Sequence, residues 1–430
     1  MKTTSYWLEN IHKITFNEDA LPKSVEVAIV GGGYSGVSTA LELARDGVQV
    51  ALMDKKWPGY GACSRNLGLV VERVEGAIDE DLNGTISGIP RHELLKEGQR
   101  AHDFVEDLIE FEKISAGLRR RGKLVLAHTK SAFDKMTRQL EQLQRVMGSD
   151  YGFMVAKRDL ASEIGEEAVR YYAGAKVLPN LIDINPGKLI AGLLDKLLQT
   201  EAYVFGGTEC FSIKRLDCGK FEINSNRGRL LADEVVIATQ GYSGSASHEL
   251  AHKIFPFLAH VVATEPIEPA LMCKLLPTLR GVVDTKQMFS NFRPCDQESR
   301  LILASHYLRT DREEVQAARI MSYYRKLFPS LKNIGVTHCW AGNLALTADG
   351  RPHIGSDNGI HYCATGNISM AIYLGSKIAK RILGADDSET ILDQLPFNKF
   401  PLYRGKPKPL YFLLRAIFKT LDIVKIPSLK

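Results

Sequence analysis

Three glycines and one aspartate near the N-terminus have the spacing of a nucleotide-binding turn. Gly31, Gly33 and Gly36 follow the pattern G-x-G-x-x-G, and Asp54 comes 18 residues after the last of them. The first glycine permits a tight turn, the second lets backbone approach a pyrophosphate, and the third lets a helix pack closely on a strand. An acid at the later position accepts hydrogen bonds from a ribose. The spacing therefore predicts that the chain binds a dinucleotide.

The elements that must position this turn lie on both sides of it. Val25–Val30 is an apolar run rich in β-branched residues, which is typical of a strand buried on both faces. Apolar residues then recur at helical spacing, namely Val37, Ala40, Leu41 and Ala44. A second apolar run, Val48–Met53, ends just before Asp54. Strand, turn, helix, strand and acid thus follow in the expected order, and the helix N-terminus would face the phosphates.

The bulk composition is that of an ordinary globular protein. The 430 residues are 45% hydrophobic and 24% charged, with a formal net charge of +5. This length fits two or three domain-sized units, or one composite two-domain enzyme. Seven Lys and Arg residues stand with a single Asp in residues 404–430, so the rest of the chain is close to neutral. We therefore expect no nucleic-acid-binding surface on the main body.

The cysteines and the apolar segments bound the cellular context. Seven cysteines are scattered without a C-x-x-C pair, which favours neither a disulfide framework nor a metal site. No stretch reaches about 18 uninterrupted apolar residues, and the N-terminus lacks the apolar core of a secretion signal. We expect a cytoplasmic protein. Pro409–Lys419 is apolar with basic flanks, so residues 405–430 could contact a membrane surface, dock a partner or pack on their own domain.

Further elements follow along the chain. Periodicity and turn residues predict helices over 91–113, 131–147, 186–198 and 312–327, and one from the 364–370 turn to residue 383. Strands are predicted over 123–127, 202–205, 221–224, 235–238, 260–263 and 301–304. Residues 1–24 and the glycine-rich residues 55–68 predict no regular element. The turns at Ala238–Gly241 and Gly366 each follow an apolar strand, where backbone could meet a nucleotide again.

Four separated blocks follow one another along the chain: Gly31–Asp54, Gly61–Gly68, Asn291–Pro294 with Arg300–Leu303, and Trp340–Gly342 with Asp349–Gly355 and the Gly366 turn. In this order they resemble the FAD-dependent amine and amino-acid oxidases of the D-amino-acid oxidase, glycine oxidase and sarcosine oxidase superfamily. The nearest likeness is to γ-glutamylputrescine-oxidoreductase-like members. Their order along the chain is more specific than any one of them.

The resemblance implies an α/β fold of two domains. One is a Rossmann-like FAD-binding domain of the glutathione-reductase type, which is discontinuous in sequence. The other is an inserted α+β substrate domain with a mostly antiparallel sheet. We assign residues 1–90, 178–250 and 337–385 to the FAD-binding domain, and residues 91–177 and 251–336 to the substrate domain. Residues 386–430 are left as a basic, apolar tail.

The resemblance also implies the chemistry and the site residues. A hydride would pass from the C–H bond beside an amine nitrogen to flavin N5, and the resulting imine would hydrolyse. O₂ or another acceptor would then take the electrons. The substrate-side candidates are Asn367, His306 and Arg293. The expected FAD contacts are Gly31, Gly33, Tyr34, Ser35, Gly36, Asp54, Lys55, Ala62, Cys63, Ser64, Arg65, Asn66, Gly68, Leu69, Phe211, Ala238, Thr239, Gly241, Trp340, Gly342, Asp349, Gly366, Asn367, Ile368, Ser369 and Met370.

Departures from the family pattern narrow the class of substrate that we expect. Asn343-Leu344 stands where glycine-oxidase-like members place an arginine that binds the substrate carboxylate, so we expect an amine rather than a simple α-amino acid. The amine could be γ-glutamylated and polyamine-like, or N-methylated. Ile302 stands where sarcosine-oxidase-type members carry a lysine that promotes reaction with O₂, and Cys339 lies three residues before their flavin-linking cysteine. We expect non-covalent FAD.

Other interpretations stay open. A dehydrogenase with a non-oxygen acceptor fits the same motifs. So does an FAD-binding partner or maturation flavoprotein that acts on or with another protein. An NAD-dependent dehydrogenase would leave the later blocks unexplained. Arg65 could instead be a surface ion-pair residue, Cys63 a small buried filler and His306 a structural histidine.

Overall fold

The computed structural model describes residues 1–72, 74, 77, 82, 84–244, 246–286, 290–295, 299–305, 312–403, 410 and 413. The strands are β1 (Ser24–Val30), β2 (Val50–Met53), β3 (Thr85–Ile86), β4 (Ile89–Pro90), β5 (Lys123–Ala127), β6 (Phe153–Ala156), β7 (Gly174–Leu178), β8 (Tyr203–Phe205), β9 (Cys210–Arg215), β10 (Phe221–Ser225), β11 (Gly228–Ile237), β12 (Phe255–Thr264), β13 (Gly281–Asp284), β14 (Ser290–Cys295), β15 (Arg300–Ser305), β16 (Val336–Leu346), β17 (His353–Asp357) and β18 (Ile360–Ala364). The helices are α1 (Tyr34–Arg45), α2 (Arg91–Phe111), α3 (Lys130–Met147), α4 (Glu166–Val169), α5 (Pro186–Leu197), α6 (His248–Lys253), α7 (Pro269–Leu275), α8 (Glu313–Leu327) and α9 (Ile368–Ile382).

The first sheet is built around β1. Its order is β17-β18-β11-β1-β2-β8, and β10 and β9 extend from β11 as an antiparallel ribbon. β1 pairs in parallel with both β11 and β2, and Val27, Ala28 and Ile29 are at most 1% exposed. One face of the sheet packs on α1, α5 and α9, and the other packs on apolar side chains of the ribbon. This confirms that β1 is buried on both faces.

Helices α1 and α9 meet at close range on this sheet. A Cβ at Gly375 would lie 2.4 Å from the carbonyl oxygen of Ser35, so the contact requires a glycine. The Ser38 hydroxyl donates to the Ile372 carbonyl at 2.8 Å, and the Thr39 hydroxyl donates to the Gly375 carbonyl at 2.8 Å. Small and hydroxyl side chains thus hold the first half of α1 against the middle of α9.

The second sheet has the order β16-β12-β15-β14-β13-β5-β7-β6. Its neighbouring strands are antiparallel except for the parallel pair β13 and β5. One face packs on α8 through Phe292, Leu303 and Tyr324. The opposite face packs on Trp7 and Leu67. The two sheets confirm the predicted α/β fold with a discontinuous Rossmann-like part and a mostly antiparallel second part.

The N-terminal lead-in has more structure than its sequence predicts. Tyr6–Leu8 forms a 3-10 turn, and Lys2 makes a parallel bridge to His338 at the edge of the second sheet. Tyr6 and Trp7 are both buried. The expectation of an irregular lead-in is therefore wrong for this short stretch, because contacts with residues far along the chain order it.

The C-terminal segment lies largely outside the described residues. Of residues 405–430 only 410 and 413 are described, and Leu410 is buried in a cluster with Phe255, Phe257 and Tyr403. Among the described residues no helix combines the length and the apolar character that a membrane span requires.

Candidate functional site

A cavity of about 470 Å³ lies at the carboxyl ends of β18, β11, β1, β2 and β8. Ligands of open parallel sheets commonly bind in such a crevice. Part of β16 from the second sheet closes the cavity. The predicted contact residues that line it are Gly31, Gly33, Tyr34, Ser35, Asp54, Lys55, Ala62, Cys63, Asn66, Ala238, Thr239, Gly366, Asn367 and Ile368.

The three glycines of the first turn occupy different surroundings. Gly31 has φ +111°, and a Cβ there would lie 2.7 Å from the Ala238 carbonyl oxygen. A Cβ at Gly36 would lie 1.9 Å from the Gly31 carbonyl oxygen. A Cβ at Gly33 would meet no atom within 4 Å, because the position borders the open cavity. The turn thus leaves bare backbone facing a space that a pyrophosphate would fit.

Asp54 stabilises the same turn from the end of β2. Its two carboxylate oxygens accept hydrogen bonds from the backbone N–H groups of Gly32, at 2.9 Å, and Lys56, at 2.8 Å. Burial raises the pKa of the Asp54 carboxyl, and the two N–H donors oppose that rise. Each oxygen retains a further lone pair. The carboxylate can therefore shape the turn and still accept a hydrogen bond from a ribose hydroxyl.

Gln240 connects three of the cavity-lining turns. It lies at the carboxyl end of β11, between β1 and β18. Its side-chain amide donates to the Ser35 hydroxyl oxygen at 3.0 Å and to the Cys363 sulfur at 3.4 Å, and its carbonyl oxygen accepts from the Thr365 N–H at 2.9 Å. Its φ of +49° is unusual for a residue with a side chain and costs on the order of 1–3 kcal/mol. These three hydrogen bonds offset that cost.

The segment 61–68 forms another wall of the cavity. Ala62, Cys63 and Asn66 line the cavity. The Asn66 amide donates to the Ala62 and Cys63 carbonyls, both at 2.9 Å, and its side-chain oxygen accepts from the Gly68 N–H at 2.7 Å. These bonds fold the segment on itself. The absence of a regular element here, apart from a 3-10 turn at Ala62–Ser64, agrees with the sequence prediction.

Arg65 holds this wall from behind. Its guanidinium donates to the Tyr60 carbonyl at 2.8 Å and to the Ala341 carbonyl at 3.1 Å, and it lies 4.2 Å from the centre of the Tyr60 ring. Gly342 makes the approach possible, since a Cβ there would lie 3.2 Å from the Arg65 Cβ. Arg65 therefore connects the segment to β16 and does not line the cavity.

The carbonyls of three consecutive residues in this segment accept side-chain hydrogen bonds from elsewhere in the chain. The Trp340 indole donates to the Arg65 carbonyl at 2.9 Å. Ser5 donates to the Ser64 carbonyl at 2.7 Å, and the Trp7 indole donates to the Asn66 carbonyl at 2.8 Å. Trp340 was among the predicted contacts, but its indole supports the wall and does not line the cavity.

Two cysteines bear on flavin attachment, and both are buried: Cys63 lines the cavity, and Cys339 on β16 lies outside its lining. Burial raises the pKa of Cys63 to about 12, and its Sγ donates to the Gly59 carbonyl at 3.3 Å. Cys339 lies on the α8 face of the second sheet, away from Trp340 on the opposite face. Burial, with the nearby charges of Glu313 and Glu314, raises its pKa to about 12. A neutral thiol is a poor nucleophile.

The structure separates the three substrate-side candidates. Arg293 is buried, forms an ion pair with Asp183 at 2.8 Å and lies 5.0 Å from the Trp7 ring, outside the cavity lining. Asn367 lines the cavity, but its side-chain oxygen caps α9 by accepting from the Met370 N–H at 2.8 Å. His306 falls outside the described residues. Of the three candidates only Asn367 is thus placed at the cavity.

Several predicted cofactor contacts lie behind the lining or away from it. Phe211 is 45% exposed on β9 and points outward. Burial opposes ionisation of Asp349, but the hydrogen bond with His353 and the charge of Arg351 hold its pKa well below its usual range. Because its carboxylate forms a hydrogen bond with His353, Asp349 stabilises its own turn. The others outside the lining are Gly36, Ser64, Arg65, Gly68, Leu69, Gly241, Trp340, Gly342, Ser369 and Met370.

Asn343 and Leu344 face the cavity from β16, at the place where the family resemblance put the substrate side. The sequence prediction missed other residues that line it, among them Thr208 and Glu209 after β8. Tyr242 is 42% exposed at the cavity, and its hydroxyl accepts from the Asn343 N–H at 3.1 Å. No motif marks Thr208, Glu209 or Tyr242. Gln240 could have been found from the sequence, because its neighbours Thr239 and Gly241 in the same small-residue turn were predicted contacts.

Comparison with known proteins accounts for this architecture. The family model for FAD-dependent oxidoreductases, DAO, matches residues 26–381. The γ-glutamylputrescine oxidoreductase of Escherichia coli (strain K12) is 25% identical over 412 residues, covering 93% of this chain and 93% of that protein. The glycine oxidase of Geobacillus kaustophilus (strain HTA426) is 25% identical over 385 residues, covering 87% of this chain and 96% of that protein.

The fold is shared with a solved structure. The crystal structure of glycine oxidase from Geobacillus kaustophilus superposes with a TM-score of 0.73 at 20% identity, covering 89% of this chain and all of that one. These matches confirm the resemblance drawn from the four sequence blocks and establish FAD, not NAD, as the cofactor. With most of its length matched, the chain belongs to the DAO family of FAD-dependent oxidoreductases.

Proposed function

We propose that this enzyme oxidises the C–N bond of a primary or secondary amine that carries no carboxylate beside the reacting carbon. The observation that carries the proposal is the neutral wall between the 61–68 segment and β16. Among the described lining residues the cationic side chains are Lys55 and Lys56, both next to Asp54 at the end of β2. Asn343 and Leu344 offer no guanidinium to a substrate carboxylate.

The relatives support an amine as the substrate class. The names of two of them, γ-glutamylputrescine oxidoreductase and glycine oxidase, each describe a compound with an amino group. Bound FAD would accept a hydride from the C–H bond beside the nitrogen, leaving an imine that water hydrolyses to a carbonyl compound and ammonia or a smaller amine. The chain itself would supply the turns for the pyrophosphate, Asp54 for a ribose and the neutral wall for the substrate.

Three buried side chains bear on the attachment and reoxidation of FAD. Cys63 and Cys339 are protonated thiols, which favours non-covalent FAD. Ile302 is fully buried with Trp7 and Trp340 and provides no charge where a lysine would promote reaction with O₂. Slow reaction with O₂, and a dehydrogenase that uses another acceptor, fit this apolar packing better than a fast oxidase.

Anaerobic bleaching of the bound flavin tests the substrate class. Purified holoenzyme is mixed with polyamines, N-methylated amines, γ-glutamylated amines, glycine and other simple α-amino acids. We expect bleaching by at least one amine and none by the α-amino acids. Bleaching should speed up as pH rises toward the pKa of the amine, since the neutral nitrogen is the reactive form. Bleaching by simple α-amino acids alone would contradict the proposal. No bleaching by any amine would instead favour the partner-flavoprotein interpretation.

Asn343→Arg makes the same test sharper. The guanidinium would give a carboxylate a charge-assisted hydrogen-bond partner, worth about 1.5–3 kcal/mol. We expect the variant to gain bleaching by a simple α-amino acid by on the order of tenfold or more and to lose rate with the preferred amine. Asn343→Gln is the control, because it preserves polarity without adding charge, and should gain no α-amino-acid activity.

A further inference from the structure

Ser5 and Trp7 contact the cavity wall although they precede the part of the chain that the family model matches, residues 26–381. We propose that they are positioning residues for the flavin side of the cavity, and we call this pair the N-terminal clamp. The inference rests on the proposed function only in taking the 61–68 segment as a wall that borders the flavin. It assigns a role in the active site to a stretch whose sequence predicts no regular element.

The clamp fixes the backbone of the segment from the side away from the cavity. Ser5 and Trp7 donate to the carbonyls of Ser64 and Asn66, at 2.7 and 2.8 Å. The Trp340 indole donates to the carbonyl between them at 2.9 Å. With consecutive carbonyls held, the peptide planes cannot rotate independently. Asn66 lines the cavity and is held directly by the clamp.

Trp7 is itself held in one position. The residue is 2% exposed, and a Cβ at Gly187 would lie 2.2 Å from the Trp7 carbonyl oxygen, so the start of α5 accepts Trp7 only because residue 187 is a glycine. The Arg293 guanidinium lies 5.0 Å from the centre of the Trp7 ring. Arg293, which the sequence suggested as a substrate contact, thus supports the clamp.

The residues before the clamp are attached to the second sheet. The Lys2 N–H donates to the Thr337 carbonyl at 2.8 Å, and the Cys339 N–H donates to the Lys2 carbonyl at 2.9 Å. The next residue along β16, Trp340, is the third donor to the segment. The clamp and β16 therefore hold the same wall as one unit. A change in the clamp should shift the wall without removing any residue that lines the cavity.

The test compares Trp7→Phe and Ser5→Ala with the wild-type holoenzyme. Trp7→Phe preserves an aromatic ring but removes the N–H, and Ser5→Ala removes only the hydroxyl. The measurements are the FAD dissociation constant from flavin fluorescence, the visible absorption and circular dichroism of the bound flavin, and its midpoint potential. We expect each variant to weaken FAD binding by about five- to tenfold, to change the flavin dichroism, and to show a larger effect when combined.

Tyr6→Phe is the matched control. It removes a hydroxyl from the same 3-10 turn, and this hydroxyl accepts from the Cys295 thiol of β14 at 3.9 Å. We expect its FAD affinity and flavin spectra to equal those of the wild type. A merely structural role of the clamp would lower the melting temperature of the variants and leave the flavin dichroism and potential unchanged. That result, or wild-type FAD affinity in both variants, would overturn the proposal.

These readouts do not depend on the substrate. If wild-type holoenzyme bleaches with no amine, the proposed function fails, while the comparison of flavin binding and spectra still decides the role of the clamp. If Trp7→Phe does not fold, Ser5→Ala alone is decisive, since it removes one hydrogen bond and only a single side-chain oxygen.

Discussion

Two walls of the cavity at the carboxyl edge of the first sheet are held in different ways. The sheet wall consists of the turns that follow β1, β11 and β18, and its first turn is shaped by the glycine spacing within that turn. The segment wall, residues 61–68, has only one 3-10 turn and is held by residues far away, such as Ser5, Trp7 and Trp340. The first turn of the sheet wall is therefore encoded locally, whereas the segment wall depends on the packing of distant segments.

The largest effect should come from the sheet wall. In Gly36→Ala the new Cβ would lie 1.9 Å from the Gly31 carbonyl oxygen, so α1 must move away from β1. We expect a loss of about 3 kcal/mol in the free energy of unfolding, measured by urea denaturation of the apoprotein. FAD binding should be lost with it, because the turn and the helix N-terminus separate.

Gly33→Ala is the matched control for that change. Its Cβ would meet no atom within 4 Å, and the backbone at Gly33 has φ −84° and ψ −172°, which alanine adopts readily. We expect unchanged stability of the apoprotein and FAD affinity weaker by on the order of 100-fold, since the methyl group would face the pyrophosphate. Equal stability of the two variants would contradict the local account of this wall.

The sequence predicted the sheet wall because its signals are local. The glycine spacing, the apolar run of β1 and the acid after β2 all fall within thirty residues, and the cavity includes Gly33 and Asp54 as expected. Strand lengths were less predictable: β11 runs from Gly228 to Ile237 and not only over 235–238, because its first half pairs with β10. That pairing depends on the neighbouring strand, which the local pattern does not show.

The supports of the segment wall could not be predicted for a related reason. Trp7 is one aromatic residue in a polar lead-in, and nothing nearby indicates that Gly187 makes room for its backbone. Arg293 matches a family motif, yet it forms an ion pair with Asp183 and therefore has a structural role outside the cavity lining. Residues that act through distant contacts carry no periodicity or spacing of their own.

Gln240 is an exception to this comparison, because its side-chain hydrogen bonds join turns of the sheet wall that lie far apart in sequence. Gln240→Ala removes three hydrogen bonds and preserves the strained backbone, so we expect it to lower the free energy of unfolding by about 2–3 kcal/mol. Gln240→Gly should lose about 1 kcal/mol less, because glycine adopts a φ of +49° without strain. Thermal and urea denaturation measure both variants. If the two variants lose the same free energy of unfolding, the backbone strain at residue 240 is negligible.

A smaller effect is expected for Trp340→Phe in the segment wall. The variant leaves the Arg65 carbonyl without its indole donor but preserves most of the packing of β16, so stability should fall by about 1–2 kcal/mol. FAD should bind about five- to tenfold more weakly, since the wall loses one of three supports. Calorimetry and flavin fluorescence measure the two quantities. A loss of stability with unchanged FAD affinity would mean that the segment does not border the cofactor.

The smallest effect, and the one that distinguishes the walls directly, is the reactivity of one thiol in each. Cys63 belongs to the segment wall and Cys363 lies beside Gln240 in the sheet wall, and both are buried. Burial raises their pKa values to about 12 and about 11, so both are neutral thiols at pH 8, and only the thiolate is alkylated. Below those pKa values the thiolate fraction, and hence the rate, should rise about tenfold per pH unit. Iodoacetamide should therefore label exposed Cys218 and Cys273 first.

Mass spectrometry of the apoprotein variants compares the labelling rates of the two buried thiols. Trp340→Phe should speed labelling of Cys63 by a few-fold and leave the rate at Cys363 unchanged, while Gln240→Ala should speed labelling of Cys363 and leave the rate at Cys63 unchanged. Equal acceleration of both thiols in either variant would mean that the two walls open together and are held as a single unit.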